Sequence, residues 1–208
     1  QWRFHVPTAE GKYYVLELTL TLASASNRIH LSVRRLPAKN NSGRFLEDTA
    51  PVTLIFRPDI EDRDFHETVK AFTGPETAWP AAVKPRGEGF DFSLSSGHLF
   101  SMGLADGVFV HAPEWQYMVH RPLEAQRGLD PDSDLFSPGY FTFDCRGGES
   151  ASVVAEVRDA MDQPRPRDMR DLLPEAVPAF GDSFALDLAL FQGLDAFLVN
   201  RGQDRSVI

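Results

Sequence analysis

The amino-acid sequence predicts a mainly β protein, built as an antiparallel sandwich of two sheets, from three observations. Residues Tyr14 to Leu22 alternate between apolar and mostly polar side chains, which is the period of two that buries one face of a strand. Further short strand patterns recur at a spacing of roughly 8 to 12 residues, as they do in sandwiches. No helical pattern of about ten residues separates them, which argues against a doubly wound α/β sheet.

Strand patterns and turn signals alternate along the first 160 residues. Clusters rich in Gly, Asn, Asp and Ser mark turns at 38–43, 95–97, 105–107 and 146–148, where such residues relieve backbone strain or bond to their own main chain. The predicted strands are Trp2–Val6, Tyr14–Leu22, Arg28–Arg35, Val52–Arg57, Gly89–Leu94, His98–Leu104, Gly107–His111, Trp115–Val119, Tyr140–Asp144 and Ser152–Val157.

A proline-rich stretch at 162–168 breaks these patterns, because proline removes a backbone donor and favours extended chain. We therefore predict a β-sandwich domain over 1–160 and a linker over 161–182. Beyond the linker, apolar residues at helical spacing predict an amphipathic helix from Ser183 to Val199 that needs a packing partner. These residues are Phe184, Leu188, Phe191, Leu194 and Leu198.

The chain supplies little to cover that helical face, and it begins within a strand pattern at Trp2. We therefore expect a domain with a truncated front that was cut from a longer protein. The 208 residues suffice for one large core, since a chain of this length buries roughly 70% of its unfolded surface.

Charge and composition exclude several classes of partner. The formal net charge is −9, which disfavours binding to nucleic acid and to anionic membranes. No apolar run is long enough to span a bilayer, which takes about 18 residues. The single cysteine, Cys145, cannot form an internal disulfide and suits a reducing cytosol, so we expect a cytoplasmic protein.

Three segments of the sequence carry a family resemblance: 193–202 with 206–208, 127–130 with 134–143, and 54–66. Residues 193–202 with 206–208 are similar to the run that leads into the amylo-1,6-glucosidase domain of bacterial and archaeal glycogen debranching enzymes. Residues 127–130 with 134–143 resemble the end of the family's N-terminal β domain, and residues 54–66 resemble its arginine-rich turn after a core strand. The family's glycine-rich opening segment has no counterpart in this sequence.

The resemblance implies a fold, a parent enzyme and a partner domain. The fold would be a large two-sheet supersandwich of the galactose-mutarotase-like type. Residues 183–208 would be the first helix of a helical-barrel glycosidase domain. The parent would hydrolyse α-1,6-linked glucose at glycogen branches with paired carboxylates in that barrel. This chain would hold none of those catalytic acids, would pack on the barrel and would not be active alone.

An acidic segment after the strand at 52–57 is the first candidate site. Asp59, Glu61, Asp62, Asp64 and Glu67 lie there among Arg57, Arg63 and His66. Carboxylates accept hydrogen bonds from sugar hydroxyls, and glycoside cleavage needs two of them about 5 to 9.5 Å apart. We predict Asp59, Asp62, Arg63 and His66 as glucan-binding residues. The alternative is a solvated loop held by local ion pairs.

Trp79 and Trp115 complete the predicted site, because flat aromatic rings stack on the apolar faces of sugars. The alternatives are core packing of Trp115 and packing of Trp79 against a short loop helix. Asp130, Asp132 and Asp134 predict a capped loop, since they lack the glycine and closing glutamate of a calcium loop. We interpret Cys145 as a buried apolar residue. The histidine and cysteine spacing predicts no metal site and no cofactor.

Four functions therefore stay open at the sequence level. The first is the N-terminal β domain of a debranching enzyme that contacts glycogen or maltooligosaccharides. The others are the glucanotransferase half of such an enzyme, a purely structural or self-association module, and a stand-alone sugar-modifying sandwich enzyme. The burial of the predicted acidic and aromatic residues separates a binding role from a structural one.

Overall fold

Antiparallel sheets dominate the computed structural model, which describes residues 1–23, 26–38, 44–64, 67–94, 97–159, 198–201 and 204–207. In chain order the elements are β1 Trp2–Pro7, β2 Tyr13–Leu22, β3 Arg28–Arg35, β4 Val52–Phe56, a 3-10 turn Ala71–Thr73, α1 Pro75–Ala82, β5 Val83–Arg86, β6 Gly89–Phe92, β7 His98–Ala105, β8 Val108–His120, α2 Pro122–Gln126, β9 Asp132–Cys145, β10 Ser150–Asp159, β11 Leu198–Arg201 and β12 Asp204–Val207.

The larger sheet has seven strands in the order β1-β2-β3-β10-β7-β6-β5. Its pairings are antiparallel, and β10 joins two groups of strands because it pairs with β3 on one side and β7 on the other. Pairing of β2 with β3 sets Leu18 opposite Val33, and pairing of β1 with β2 sets Trp2 opposite Leu18. Partners in register project to the same face, so these three side chains share the inner face of the sheet.

The smaller sheet has three strands in the order β4-β9-β8. Two register shifts interrupt the pairing of β8 with β9, between His111 and Glu114 and between Gln116 and Val119. The sequence predicts two strands at 107–111 and 115–119; the structure has one strand, β8, because these bulges kink the pairing without ending it.

A hydrophobic core lies between the two sheets. Phe90, Leu104 and Val153 come from the seven-stranded sheet, and Phe136 and Phe141 come from the three-stranded sheet. All five side chains are at most 2% exposed. The predicted mainly β, two-sheet sandwich is therefore confirmed.

β5 is a strand that the sequence pattern does not predict, and α1 and α2 are short helices. β5 contains Pro85 and pairs only with β6 among the described strands, so it is an edge strand, the position where a sheet tolerates proline. α1 and α2 each begin at a proline, Pro75 and Pro122, whose fixed φ suits the first turn of a helix. Both helices are too short to give a helical pattern in the sequence.

The chain divides into two compact units, Gln1–Ala23 with Asn27–Leu173, and Ser24–Ser26 with Pro174–Ile208. In the second unit β11 pairs with β12 as an antiparallel hairpin, from Leu198 opposite Val207 to Arg201 opposite Asp204. The prediction of helix over 183–208 is therefore wrong for these strands, where β-branched Val199 and Val207 favour extended backbone. The predicted linker at 161–182 and residues 183–197 lie outside the described residues.

Candidate functional site

The segment after β4 carries the acidic residues selected from the sequence. Ile60 in this segment forms an antiparallel bridge with Phe136 of β9, and its N–H donates to the Phe136 carbonyl at 2.8 Å. Asp59 and Asp62, on either side of the bridge, are exposed, whereas Glu61 is partly buried. The bridge therefore fixes the backbone while it leaves two carboxylates at the surface.

Glu61 anchors this segment to the domain. Its carboxylate accepts a hydrogen bond from Ser133 Oγ at 2.7 Å, and it pairs with Arg63 at 3.3 Å and with Arg121. Burial opposes the charged form of Glu61, but the bonds from Ser133 and Arg121 and the charges of both arginines outweigh it, so the pKa of Glu61 lies below its usual value. Glu61 is held as a carboxylate and is not poised to donate a proton.

A cavity of about 360 Å³ opens beside the acidic segment. Its volume falls in the lower part of the range for small-molecule sites, about 300 to 1,000 Å³. The lining combines polar residues at the rim with an apolar floor: Asp59, Ile60, Glu61, Asp62, Phe92, Leu94, His98, Phe100 and Val157.

Neighbouring strands of the seven-stranded sheet form the cavity floor. Phe100 of β7 is the register partner of Phe92 of β6 on one side and of Val157 of β10 on the other. The three side chains therefore form one row on the inner face. Phe92 is buried, Phe100 is partly buried and Val157 is 39% exposed, so the row becomes more accessible towards Val157.

Arginines balance much of the negative charge at the rim. Arg57 pairs with Asp59 at 3.4 Å and with Glu114 at 3.1 Å, and Arg63 and Arg121 pair with Glu61. None of these three arginines lines the cavity. The rim thus presents carboxylate oxygens as hydrogen-bond acceptors while cations outside the cavity reduce its net charge.

The comparison with protein families agrees with the resemblance found in the sequence. Residues 1–152 match the family model described as glycogen debranching enzyme N terminal. The chain belongs to this family. No curated protein and no solved structure matches the chain. The matched range contains every residue that lines the cavity of this debranching-enzyme N-terminal domain except Val157.

The predicted site residues of the debranching-enzyme domain separate into two groups. Asp59 and Asp62 lie together at the cavity rim, and Arg63 adjoins the rim through its ion pair with Glu61. His66 lies outside the described residues. Trp79 and Trp115 lie together elsewhere, and neither lines the cavity.

The two tryptophans of the debranching-enzyme domain pack in the interior. Trp79, in α1, is 4% exposed, and its ring centroid lies 5.4 Å from that of Trp115 and 5.6 Å from that of Phe92. Trp115 is partly buried and packs on Phe136 at 5.1 Å. Trp115 therefore packs in the interior as the alternative interpretation expects, and Trp79 is buried as a member of the short helix α1 and does not pack against it. We do not place either residue among the sugar contacts.

Sequence reasoning missed His98 at the rim and the apolar floor of the cavity, which consists of Phe92, Leu94, Phe100 and Val157. A signal existed for part of it. The predicted strands at 89–94 and 98–104 flank a turn at 95–97, and a hairpin there brings Phe92 opposite Phe100. The pairing of Val157 with Phe100 joins distant parts of the chain and leaves no local signal.

Three carboxyl groups among the described residues have a shifted pKa, and none of these three suits the role of a general acid. The pKa lies below its usual value for the carboxyl groups of Glu47, Glu61 and Asp130. Hydrogen bonds from Lys12 to Glu47 and from the Asp132 backbone to Asp130 are the leading causes for the two exposed groups. A general acid needs the opposite shift.

Cys145 and Asp130 have roles in the fold and not in the candidate site. Cys145 is 1% exposed, and burial raises the pKa of its thiol, which confirms its interpretation as a buried apolar residue. Asp130 accepts the backbone N–H of Asp132 at 3.1 Å and caps the loop before β9, but the loop prediction is wrong for Asp132 and Asp134, which lie in β9 itself. Within the described ranges, no group of three His, Cys, Asp or Glu side chains could hold a metal ion. No helix in the described part of the chain has the length and apolar character to cross a membrane.

Proposed function

We propose that this chain is the N-terminal β domain of an enzyme that hydrolyses α-1,6-linked glucosyl units at glycogen branches. Its role is to pack against the helical-barrel domain that carries the catalytic carboxylates, and to contribute to glucan binding. The chain alone has no hydrolytic activity in this proposal, and the parent enzyme acts in the cytoplasm. Membership of the debranching-enzyme N-terminal family supports the proposal.

The uncovered inner face of the seven-stranded sheet is the observation that carries the packing role. Leu22 pairs with Ile29, and Leu20 pairs with Leu31, which packs against the core. These partners therefore continue the core face beyond the area that the three-stranded sheet covers. Yet Leu22 is 73% exposed, Leu20 48% and Ile29 40%.

The apolar area extends onto the edge strand. Trp2 and Phe4 of β1 pair with Leu18 and Leu16 of β2, which pack against the core, and they are 52% and 49% exposed. Burial of one such side chain contributes about 1.5 to 3 kcal/mol. A contiguous exposed patch of this kind marks an interaction surface, and a partner domain of the same enzyme is the occupant that the family membership favours.

Association of two separately produced polypeptides tests this proposal. We expect this chain and the barrel domain of its parent to form a 1:1 complex in sedimentation velocity. Leu22→Asp should weaken the complex at least tenfold, because a carboxylate would be buried without a partner. Ile55→Asp is the matched control, since Ile55 is 69% exposed on the outer face of the three-stranded sheet. Equal affinity of the two variants, or no complex at all, would contradict the packing role.

Self-association is the second candidate function, because the same apolar face could be buried against another copy. β1 is an edge strand of the described sheet, and open edges pair readily. In that case the chain alone would sediment as a dimer, and Leu22→Asp would return it to a monomer. The glucanotransferase alternative needs two converging carboxyl groups, one ionised and one with a raised pKa, and no observation in the described residues favours it.

A further inference from the structure

We propose that the cavity beside β4 is a glucan-binding subsite that holds one or two glucosyl units of an α-glucan chain. This inference rests on the proposed function for the class of its ligand. The cavity itself, its lining and its electrostatics are features of the chain alone.

The lining matches the two chemical faces of a pyranose ring. Such a ring offers apolar C–H groups on its faces and hydroxyl groups around its edge. Phe100 and Val157 provide an apolar surface for the first, and the exposed Asp59 and Asp62 provide hydrogen-bond acceptors for the second. His98, also exposed at the rim, adds a ring nitrogen that can donate or accept.

The floor is built for a fixed geometry. Phe100 is held between the register partners Phe92 and Val157, and its ring centroid lies 6.0 Å from that of Phe90 in the core. Side chains on paired strands keep their positions better than those on loops. The acidic rim is fixed as well, because the Ile60 bridge and the hydrogen bond from Ser133 to Glu61 hold the chain between Asp59 and Asp62.

The charges at the cavity rim favour a neutral polyhydroxyl compound as the ligand. Carboxylates at the rim repel anions, so a phosphorylated sugar or a nucleotide is disfavoured. A cation gains less than the number of acids suggests, because Asp59 and Glu61 already pair with Arg57, Arg63 and Arg121. A neutral sugar needs acceptors and an apolar floor, and the cavity supplies both.

Titration of the whole chain with maltopentaose tests the subsite. We expect saturable binding by calorimetry. We also expect methyl chemical-shift changes at Leu94 and Val157, which line the cavity, without changes at Ile55 or Val108, which do not. No saturable heat, or shifts at Ile55 or Val108 without shifts at Leu94 and Val157, would overturn the proposal.

Two variants separate a built subsite from weak surface binding. Asp62→Ala removes one acceptor and should raise the Kd for maltopentaose about tenfold. Asp64→Ala is its matched control, since Asp64 is exposed in the same segment and does not line the cavity. Phe100→Leu keeps the apolar contact but removes the flat ring, and it should weaken binding to a similar extent. An unchanged Kd in both Asp62→Ala and Phe100→Leu would overturn the subsite.

The outcome for the subsite is independent of the packing test. Loss of maltopentaose binding with intact barrel association removes the subsite and leaves the packing role. Loss of barrel association with intact, Asp62-dependent sugar binding removes the packing role and leaves the subsite.

Discussion

The buried carboxylate of Asp134 accepts a hydrogen bond from the backbone N–H of Met118 at 2.8 Å. Met118 lies at the second register shift of β8 and has a φ of 57°, a conformation that costs roughly 1 to 2 kcal/mol for a residue other than glycine. The second carboxylate oxygen accepts the N–H of Ala71 at 2.8 Å, where the 3-10 turn begins. One side chain therefore holds both the bulge in β8 and the turn that leads into α1.

Asp134→Asn should lower the free energy of unfolding by about 2 to 3 kcal/mol, because an amide accepts with only one terminal atom and leaves one buried donor unpaired. Equilibrium denaturation in urea measures this change. Asp132→Asn is the control, since Asp132 pairs with the exposed His120 at 2.9 Å and should cost less than about 1 kcal/mol. Similar losses in the two variants would contradict the clamping role of Asp134.

Arg35 fixes the chain that precedes β4. It is 1% exposed, and its guanidinium donates to the carbonyls of Glu47 at 2.8 Å, Leu46 at 3.2 Å and Cys145 at 3.3 Å, and also to that of Ala50. Arg35 therefore ties β3 to residues 46–50 and to the end of β9.

Arg35→Met should destabilise the domain by about 3 to 5 kcal/mol, because the apolar side chain leaves several carbonyls without a donor. Arg34→Met is the matched control; Arg34 is the exposed neighbour on the other face of β3, and its loss should cost no more than about 0.5 kcal/mol. Calorimetric unfolding of both variants checks the difference. An Arg35→Met protein as stable as Arg34→Met would show that the carbonyls find other partners.

The fold could be predicted where the signal is local. The alternation of residues 14–22 predicts β2, which runs from Tyr13 to Leu22. β5 could not be predicted, because Pro85 argues against a strand unless its edge position is known. The hairpin of β11 and β12 is not predicted, because the helical spacing reaches Leu198 and the family resemblance implies a helix over 183–208.

The candidate site could be predicted only in part, for the same reason. Asp59 and Asp62 are neighbours in sequence, so their clustering was visible without the fold. Phe100 and Val157 meet only because β7 pairs with β10, and no local pattern specifies that pairing. Sugar binding is predicted for Trp79 because aromatic rings stack on sugars. Its burial depends on how α1 packs against Phe92 and Phe136.

The two interior tryptophans should respond differently to substitution. Trp79→Ala should cost about 3 to 5 kcal/mol of stability, because it leaves a cavity in the core. Trp115→Phe should cost no more than about 1 kcal/mol. The Trp115 Nε1 atom is buried without a hydrogen-bond partner among the described residues, and phenylalanine removes that unpaired donor while it keeps an apolar ring. Urea denaturation of both variants tests this, and a Trp115→Phe loss as large as that of Trp79→Ala would reveal a partner for the indole.

The last prediction concerns the pH dependence of stability. His30 in β3 is 6% exposed, and its register partners Thr21 and Val154 carry no charge. Burial, with a smaller effect from the charge of Arg28, lowers the pKa of His30 below its usual value of 6.5.

Below about pH 6.5 the unfolded chain binds a proton at His30 before the folded chain does, so the free energy of unfolding falls as the pH is lowered. At higher pH both states are neutral at this residue, and it has no effect. His30→Gln should therefore flatten the stability profile between about pH 7 and pH 5.5. Urea denaturation across that pH range measures the slope, and an unchanged slope in His30→Gln would mean that the folded domain accepts the proton at His30 as readily as the unfolded chain.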